Sequence, residues 1–248
     1  MSKKPVFLLD TCLAAHLYNP LIKATRTLLE RLHVEVLRPK TQPCCGLVAF
    51  NAGYFAVAKE MAKRFISTFW DQEYPIVIPS GSCAAMVRHH YKSLFKAEPL
   101  WEEKVHTLAK RTFELTEFLS TRMEFPLSLR MEGRVLFHPS CQALRLLQIH
   151  QQPIELLSKI RGIEPVGDGF RAEGWDRCCG FGGLFHLKYP EISKAMRDSK
   201  LELMERQDPQ IIVGIDMGCL LHLKRGLKER ASKIRVMHMA ELLLEAGR

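Results

Sequence analysis

Eight cysteines fall along this chain in two series of the same order. Cys12 is followed, after 31 intervening residues, by Cys44-Cys45-Gly46, and 37 more residues separate Cys45 from Cys83. Cys141 is followed, after 36, by Cys178-Cys179-Gly180, and 39 lie between Cys179 and Cys219. Four thiolates are the ligand count of a cubane [4Fe–4S] cluster or of a tetrahedral Zn²⁺ site. A single buried cysteine is ordinarily a small apolar side chain. Two matched quartets, each with an adjacent pair, point instead to metal, and a reducing cytosol argues against disulfides. Structural zinc sites favour cysteine pairs spaced by two to four residues. This chain has none, which leans the reading toward iron–sulfur. Gly180-Phe-Gly-Gly183 fails the G-x-G-x-x-G spacing of a dinucleotide site, and neither HExxH nor G-x-S-x-G occurs.

The elements that must position these thiols alternate between strand and helix. Short apolar runs at residues 6–9, 34–37 and 76–78 read as strands, with helical spacing over residues 21–33 and from Gly46 to near Trp70. The order returns in the second half. Residues 135–137, 211–213 and 234–237 read as strands, and residues 142–160, 192–206, 220–230 and 240–246 as helices. Such alternation predicts α/β layers around largely parallel sheets. Cys12, Cys83, Cys141 and Cys219 each follow a strand run, and the carboxyl ends of parallel strands are where such folds place their sites. Glu114-Leu-Thr-Glu-Phe-Leu119 resembles His238-Met-Ala-Glu-Leu-Leu243, which extends the repeat beyond the cysteines. The expectation is two pseudo-symmetric tandem half-domains, residues 1–124 and 125–248. Phe125-Pro126 and Gly133 punctuate the boundary.

Composition sets the wider limits. The 248 residues are 47% hydrophobic and 25% charged, as in an ordinary globular chain. No apolar run approaches the roughly 18 residues of a membrane span, and the apolar run ending at Asp10 is too short for a signal peptide. A cytoplasmic location is expected. The net charge of +9 fits a solvated basic surface, an acidic protein partner or peripheral contact with an anionic membrane. The basic residues are scattered without interleaved aromatics, which argues against nucleic acid.

The doubled Cys…Cys-Cys-Gly…Cys pattern resembles the cysteine-rich (CCG) domain family of iron–sulfur oxidoreductases. That family includes the heterodisulfide reductase B subunit and the glycolate oxidase iron–sulfur subunit, and the lactate-utilisation protein A group is the most similar. The shared residues run through Thr11-Cys12, Cys44-Cys45-Gly46, Asn51-x-Gly53-Tyr54, Ser80-Gly-Ser-Cys83 and His138-Pro-Ser-Cys141. They continue through Cys178-Cys179-Gly-Phe-Gly-Gly183, Lys188, Asp216-x-x-Cys219 and His238-x-Ala-Glu241. The resemblance implies a redox component of a complex that oxidises L-lactate to pyruvate, beside a ferredoxin-like iron–sulfur subunit and a third small subunit. It implies one or two [4Fe–4S] clusters, with zinc as the alternative. Cys141, Cys178, Cys179 and Cys219 are the first expected ligand set, and Cys12, Cys44, Cys45 and Cys83 the second.

Departures from the family pattern matter. Heterodisulfide-type repeats end in Cys-x-x-Cys, whereas here Ser80 and Asp216 hold the first of those positions. Five-thiolate ligation is therefore excluded, and Asp216 becomes a candidate oxygen ligand. His138, His186, His222 and His238 all fall in the second half. His138 and His222 are the candidate proton-carrying catalytic residues, where the first half has Leu9 and Met86. The second half is thus expected to hold the working site. Arg145, Arg177 and Arg197 are nominees for a carboxylate pocket, against a plain surface role. Two other functions compete: thiol–disulfide exchange at Cys178-Cys179, as in heterodisulfide reductases, and a zinc-stabilised assembly module without redox chemistry.

Overall fold

The computed structural model describes residues 5–124 and 128–248. Among the described residues, eight strands form two four-stranded sheets, every pairing parallel. The first sheet holds β1 (Pro5–Leu8), β2 (Glu35–Leu37), β3 (Ile76–Ile78) and β4 (Thr112–Glu114), in the order β2-β1-β3-β4. The second holds β5 (Leu129–His138), β6 (Ile160–Pro165), β7 (Ile211–Gly214) and β8 (Arg235–His238), in the equivalent order β6-β5-β7-β8. The chain therefore doubles one α/β unit, as the cysteine series predicts. The boundary signal at Phe125-Pro126 lies outside the described residues.

Alternation along each strand decides which core it feeds, because successive side chains leave opposite faces of a sheet. Val6 and Leu8 of β1 enter a central core, whereas Phe7 and Leu9 enter an outer one. Val135 and Phe137 of β5 enter that same central core, and Leu136 enters the outer core of the second half. One apolar core is thus shared by the inner faces of both sheets. Helix packing across it is reciprocal. Met239–Ala246 at the end of the second half packs on Asn19–Arg31 of the first, and Leu115–Arg122 packs on Gln151–Ser158 of the second. Contacts in which each half offers the same elements to the other are the mark of two-fold symmetry.

Several local readings need revision. Residues 142–160 do not form one helix: a π-helical turn, Ala143–Leu147, ends at Gln148 in the left-handed region, and the helix Gln151–Ser158 follows. Ile160 belongs to β6, whose sequence Ile160-Arg-Gly-Ile-Glu-Pro165 gives no clean alternation on this edge strand. The helical stretch after Cys45 is interrupted at Gly53, also left-handed, between Leu47–Asn51 and Phe55–Phe69. β4 and the helix Pro99–Lys110 carry only weak sequence signals. Among the described residues no helix is long and apolar enough to cross a membrane.

Candidate metal centre

In a sheet ordered 2-1-3-4, connections leave the first and third strands in opposite directions, opening a crevice beyond their carboxyl ends. Cys12 stands just past β1 and opens the helix Cys12–Leu17; Cys83 stands past β3 in the helix Gly81–Ala85. Cys141 and Cys219 hold the matching places past β5 and β7, and Cys219 lies in the helix Met217–Glu229. Ser80 and Asp216 are the N-caps of the helices carrying Cys83 and Cys219: the Ser80 side chain accepts from Cys83 N, the Asp216 side chain from Gly218 N. Capping satisfies an amide that would otherwise be left unpaired.

The two Cys-Cys-Gly loops share a backbone device. Gly46 and Gly180 both adopt left-handed φ, +85° and +86°. A Cβ at Gly46 would lie 3.2 Å from Ala58 O, and one at Gly180 would lie 2.6 Å from Ser193 O. Glycine here provides the turn and lets the loop press against the following helix, which aims both thiols of each pair into the crevice.

The two halves then meet at these ends. Asp216 Oδ2 accepts from Ser80 Oγ at 3.1 Å and from Ser82 N at 2.8 Å, and Gly81 N donates to Ile215 O at 3.1 Å. All eight cysteines consequently line one cavity of about 100 Å³, together with Ser80, Ser140, Phe181 and Asp216. Both oxygens of Asp216 are engaged, one capping its own helix and one tying the halves together.

All eight cysteines are free thiols. Cys12 and Cys44 sulfurs lie 3.8 Å apart. A thiol hydrogen bond from Cys12, and a second from Cys45, push the Cys44 thiol down to about 3, while the same contact with Cys44 pushes Cys12 up. The second quartet repeats this: Cys141 and then Cys179 push Cys178 down to about 2, and Cys178 pushes Cys141 up. Gly180 N also donates to Cys178 Sγ at 3.4 Å. In each quartet the contacts among neighbouring thiols thus favour loss of a proton at their shared hydrogen bonds, and it is the thiolate that binds metal.

The histidines divide. A ring nitrogen of His138 and the sulfurs of Cys179 and Cys219 all lie within 4.8 Å of one another. His138 is 1% exposed and neither ring nitrogen has a hydrogen-bond partner. Burial, and then the charge of Lys200, holds its pKa well below the ordinary value. A neutral imidazole keeps one N–H, and such an orphan in a protein interior marks a missing partner. Sulfur-rich metal beside it fits that need. His222 instead backs the loop, its Nε2 3.2 Å from Ser193 Oγ, which donates to Gly180 O at 2.8 Å. His186 stacks on Phe181 at 4.6 Å between ring centres. His238 caps the last helix. Of the arginines, Arg197 is buried in a two-pronged pair with Glu229, and Arg145 reaches Asp176 O.

One residue at this site escaped the sequence reading. Lys200 is 2% exposed, and its ammonium donates to the carbonyls of Trp175, at 2.9 Å, and Arg177, directly ahead of Cys178. Its position on the buried face of the helix Pro190–Glu205 was the available signal.

The cysteine-rich domain profile matches residues 6–88 and 135–224, once on each sheet. This chain belongs to the cysteine-rich (CCG) domain family. The chain is also similar to Lactate utilization protein A of Geobacillus sp. (strain WCH70), 39% identical over 241 residues, 96% of this chain and 98% of that one. Lactate utilization protein A of Bacillus subtilis (strain 168) is 39% identical over 239 residues, with the same coverage. The CCG fold seen here also resembles a crystal structure of a hypothetical protein from Helicobacter pylori, with a TM-score of 0.67 at 12% identity. That alignment covers 99% of this chain and 49% of the other, so the chain spans about half of that protein. The family resemblance drawn from the cysteine motifs therefore holds. The eight-cysteine arrangement suits metal or cluster binding.

Proposed function

We propose that this chain is an iron–sulfur redox subunit of a system that oxidises L-lactate to pyruvate. The observation that carries the reading is the convergence of all eight cysteines on one cavity at the strand carboxyl ends. The names of the Geobacillus and Bacillus relatives supply the substrate. Cys141, Cys178, Cys179 and Cys219 hold one centre, and Cys12, Cys44, Cys45 and Cys83 a second. [4Fe–4S] clusters bound there supply one-electron transfer. The chain itself contributes thiolates, glycine-shaped loops and an apolar surround that limits water. Asp216 serves as the tie between halves rather than as a ligand. Of the two histidine candidates, His138 faces the second quartet, whereas His222 acts on it through Ser193. The working partners are a ferredoxin-like iron–sulfur subunit and a third small subunit, in the cytoplasm.

Zinc is the second reading, and one distance favours it. A Zn–S bond of about 2.3 Å makes the edge of a tetrahedral thiolate site about 3.8 Å, matching the 3.8 Å between Cys12 and Cys44. A cubane spreads its thiolates wider. Anaerobic purification with iron, acid-labile sulfide and zinc analysis, followed by EPR of the reduced and oxidised protein, separates the two. Iron and sulfide with a cluster signal are expected. Zinc without iron overturns the reading.

A further inference from the structure

The two quartets match in their cysteines but not in what surrounds them. Ser193 and Met196 meet Gly180 as Ala58 and Met61 meet Gly46. That equivalence puts Lys200 opposite Phe65, a fully buried aromatic ring. His138, three residues before Cys141, stands opposite Leu9, three before Cys12 and also buried. The second site thus has a buried cation and an unpartnered imidazole where the first has two hydrocarbons. The other nearby charges do not restore the balance: Asp176, which acts on Lys200, is exposed, and water screens it. Asp10, two residues before Cys12, is paired with Arg38. Asp216 lines the cavity common to both quartets and is hydrogen-bonded by Ser80 and Ser82.

Reduction adds negative charge to a thiolate-ligated centre. A neighbouring cation favours the reduced state, strongly where water is excluded, and hydrogen bonds to sulfur act in the same direction. We propose that the two sites are redox-inequivalent: the centre held by Cys141, Cys178, Cys179 and Cys219 has the higher potential, set by Lys200 and His138. An electron that reaches the first centre then moves to the second. The first is oxidised by one electron, the second reduced by one, and no bond or proton changes hands. The second half is where electrons come to rest before leaving the chain. This inference rests on the iron–sulfur reading above.

The test is a potentiometric titration, followed by EPR, of the full chain reconstituted anaerobically with iron and sulfide. Two waves are expected, separated by at least tenfold in reduction equilibrium, about 59 mV for a one-electron couple. Cys44→Ala should abolish the low wave and Cys178→Ala the high one. Lys200→Met and His138→Leu should each lower the high wave and leave the low one unmoved, and Lys200→Arg should largely keep it in place. Leu9→His, which leaves Lys200 and its loop contacts intact, should raise the low wave even if Lys200→Met fails to fold. Coincident waves, the reverse assignment, a single centre, or a high wave indifferent to both residues would overturn the inference while leaving the iron–sulfur reading intact. Absence of iron and sulfide overturns both.

Discussion

At the scale of single residues, the Cys-Cys-Gly motif is a statement about backbone as much as about sulfur. Gly46 and Gly180 combine left-handed φ with contact against the next helix. Gly180→Ala forces a Cβ against a backbone carbonyl and is expected to cost about 2 kcal/mol or more. Gly46→Ala, with its wider clearance of 3.2 Å, should cost less. Urea denaturation of both variants checks the order, and metal content should fall in the same sequence. Equal and negligible effects would show that the loops relax freely. The glycines were visible in the sequence, but their reason was not. Their partners Ala58 and Ser193 lie on helices that only packing brings close.

At the scale of elements, the paired segments after β4 and β8 show how one architecture tolerates different chemistry. Both are capping boxes. Glu114 accepts from Thr116 N and Glu117 N, while His238 Nδ1 accepts from Ala240 N and its own N–H donates to Glu241. Burial pushes the Glu114 carboxyl up to about 8 and the His238 imidazole down to about 4. The two therefore act with opposite sign over overlapping pH windows. For Glu114 the folded pKa exceeds the unfolded one, so its contribution is complete below about 4.5 and is lost as pH rises through about 8. For His238 the folded pKa is depressed, so its contribution is complete above about 6.5 and is lost as pH falls toward about 4. Melting temperatures across pH should show Glu114→Gln flattening the limb that falls as pH rises from about 4.5 to 8, and His238→Asn the limb that falls as pH drops from about 6.5 to 4. Either variant steepening its limb would contradict the assignment. The likeness of the two segments was plain in the sequence. That both cap helices packed against the opposite half required the fold.

At the scale of the whole molecule, the halves share a core, a cavity and a polar tie. Helices from each half complete the apolar face of the other. Asp216 joins Ser80 and Ser82 at the edge of the cavity. Asp216→Ala removes the acceptor for two backbone amides and a hydroxyl at a buried position, a loss of about 1–3 kcal/mol. Unfolding should remain a single transition, with its midpoint lowered, and metal should be lost from both quartets together. Two separated transitions, or loss from the second quartet alone, would show that the halves act independently.

The sequence by itself determined what rests on local order: the doubled cysteine series with its suitability for metal or cluster binding, the strand and helix alternation, and the matched segments at 114 and 238. Edge strand β6 and the broken helix ahead of it escaped because their signals were weak, and sheet pairing rather than propensity decides them. Only the tertiary structure decided that both quartets open on one cavity, that Asp216 is tied to the opposite half, and that Lys200 and His138 stand buried at the second site. Each depends on contacts between residues tens of positions apart or in different halves, and such contacts arise from packing the sheets against one another, which spacing along the chain does not encode.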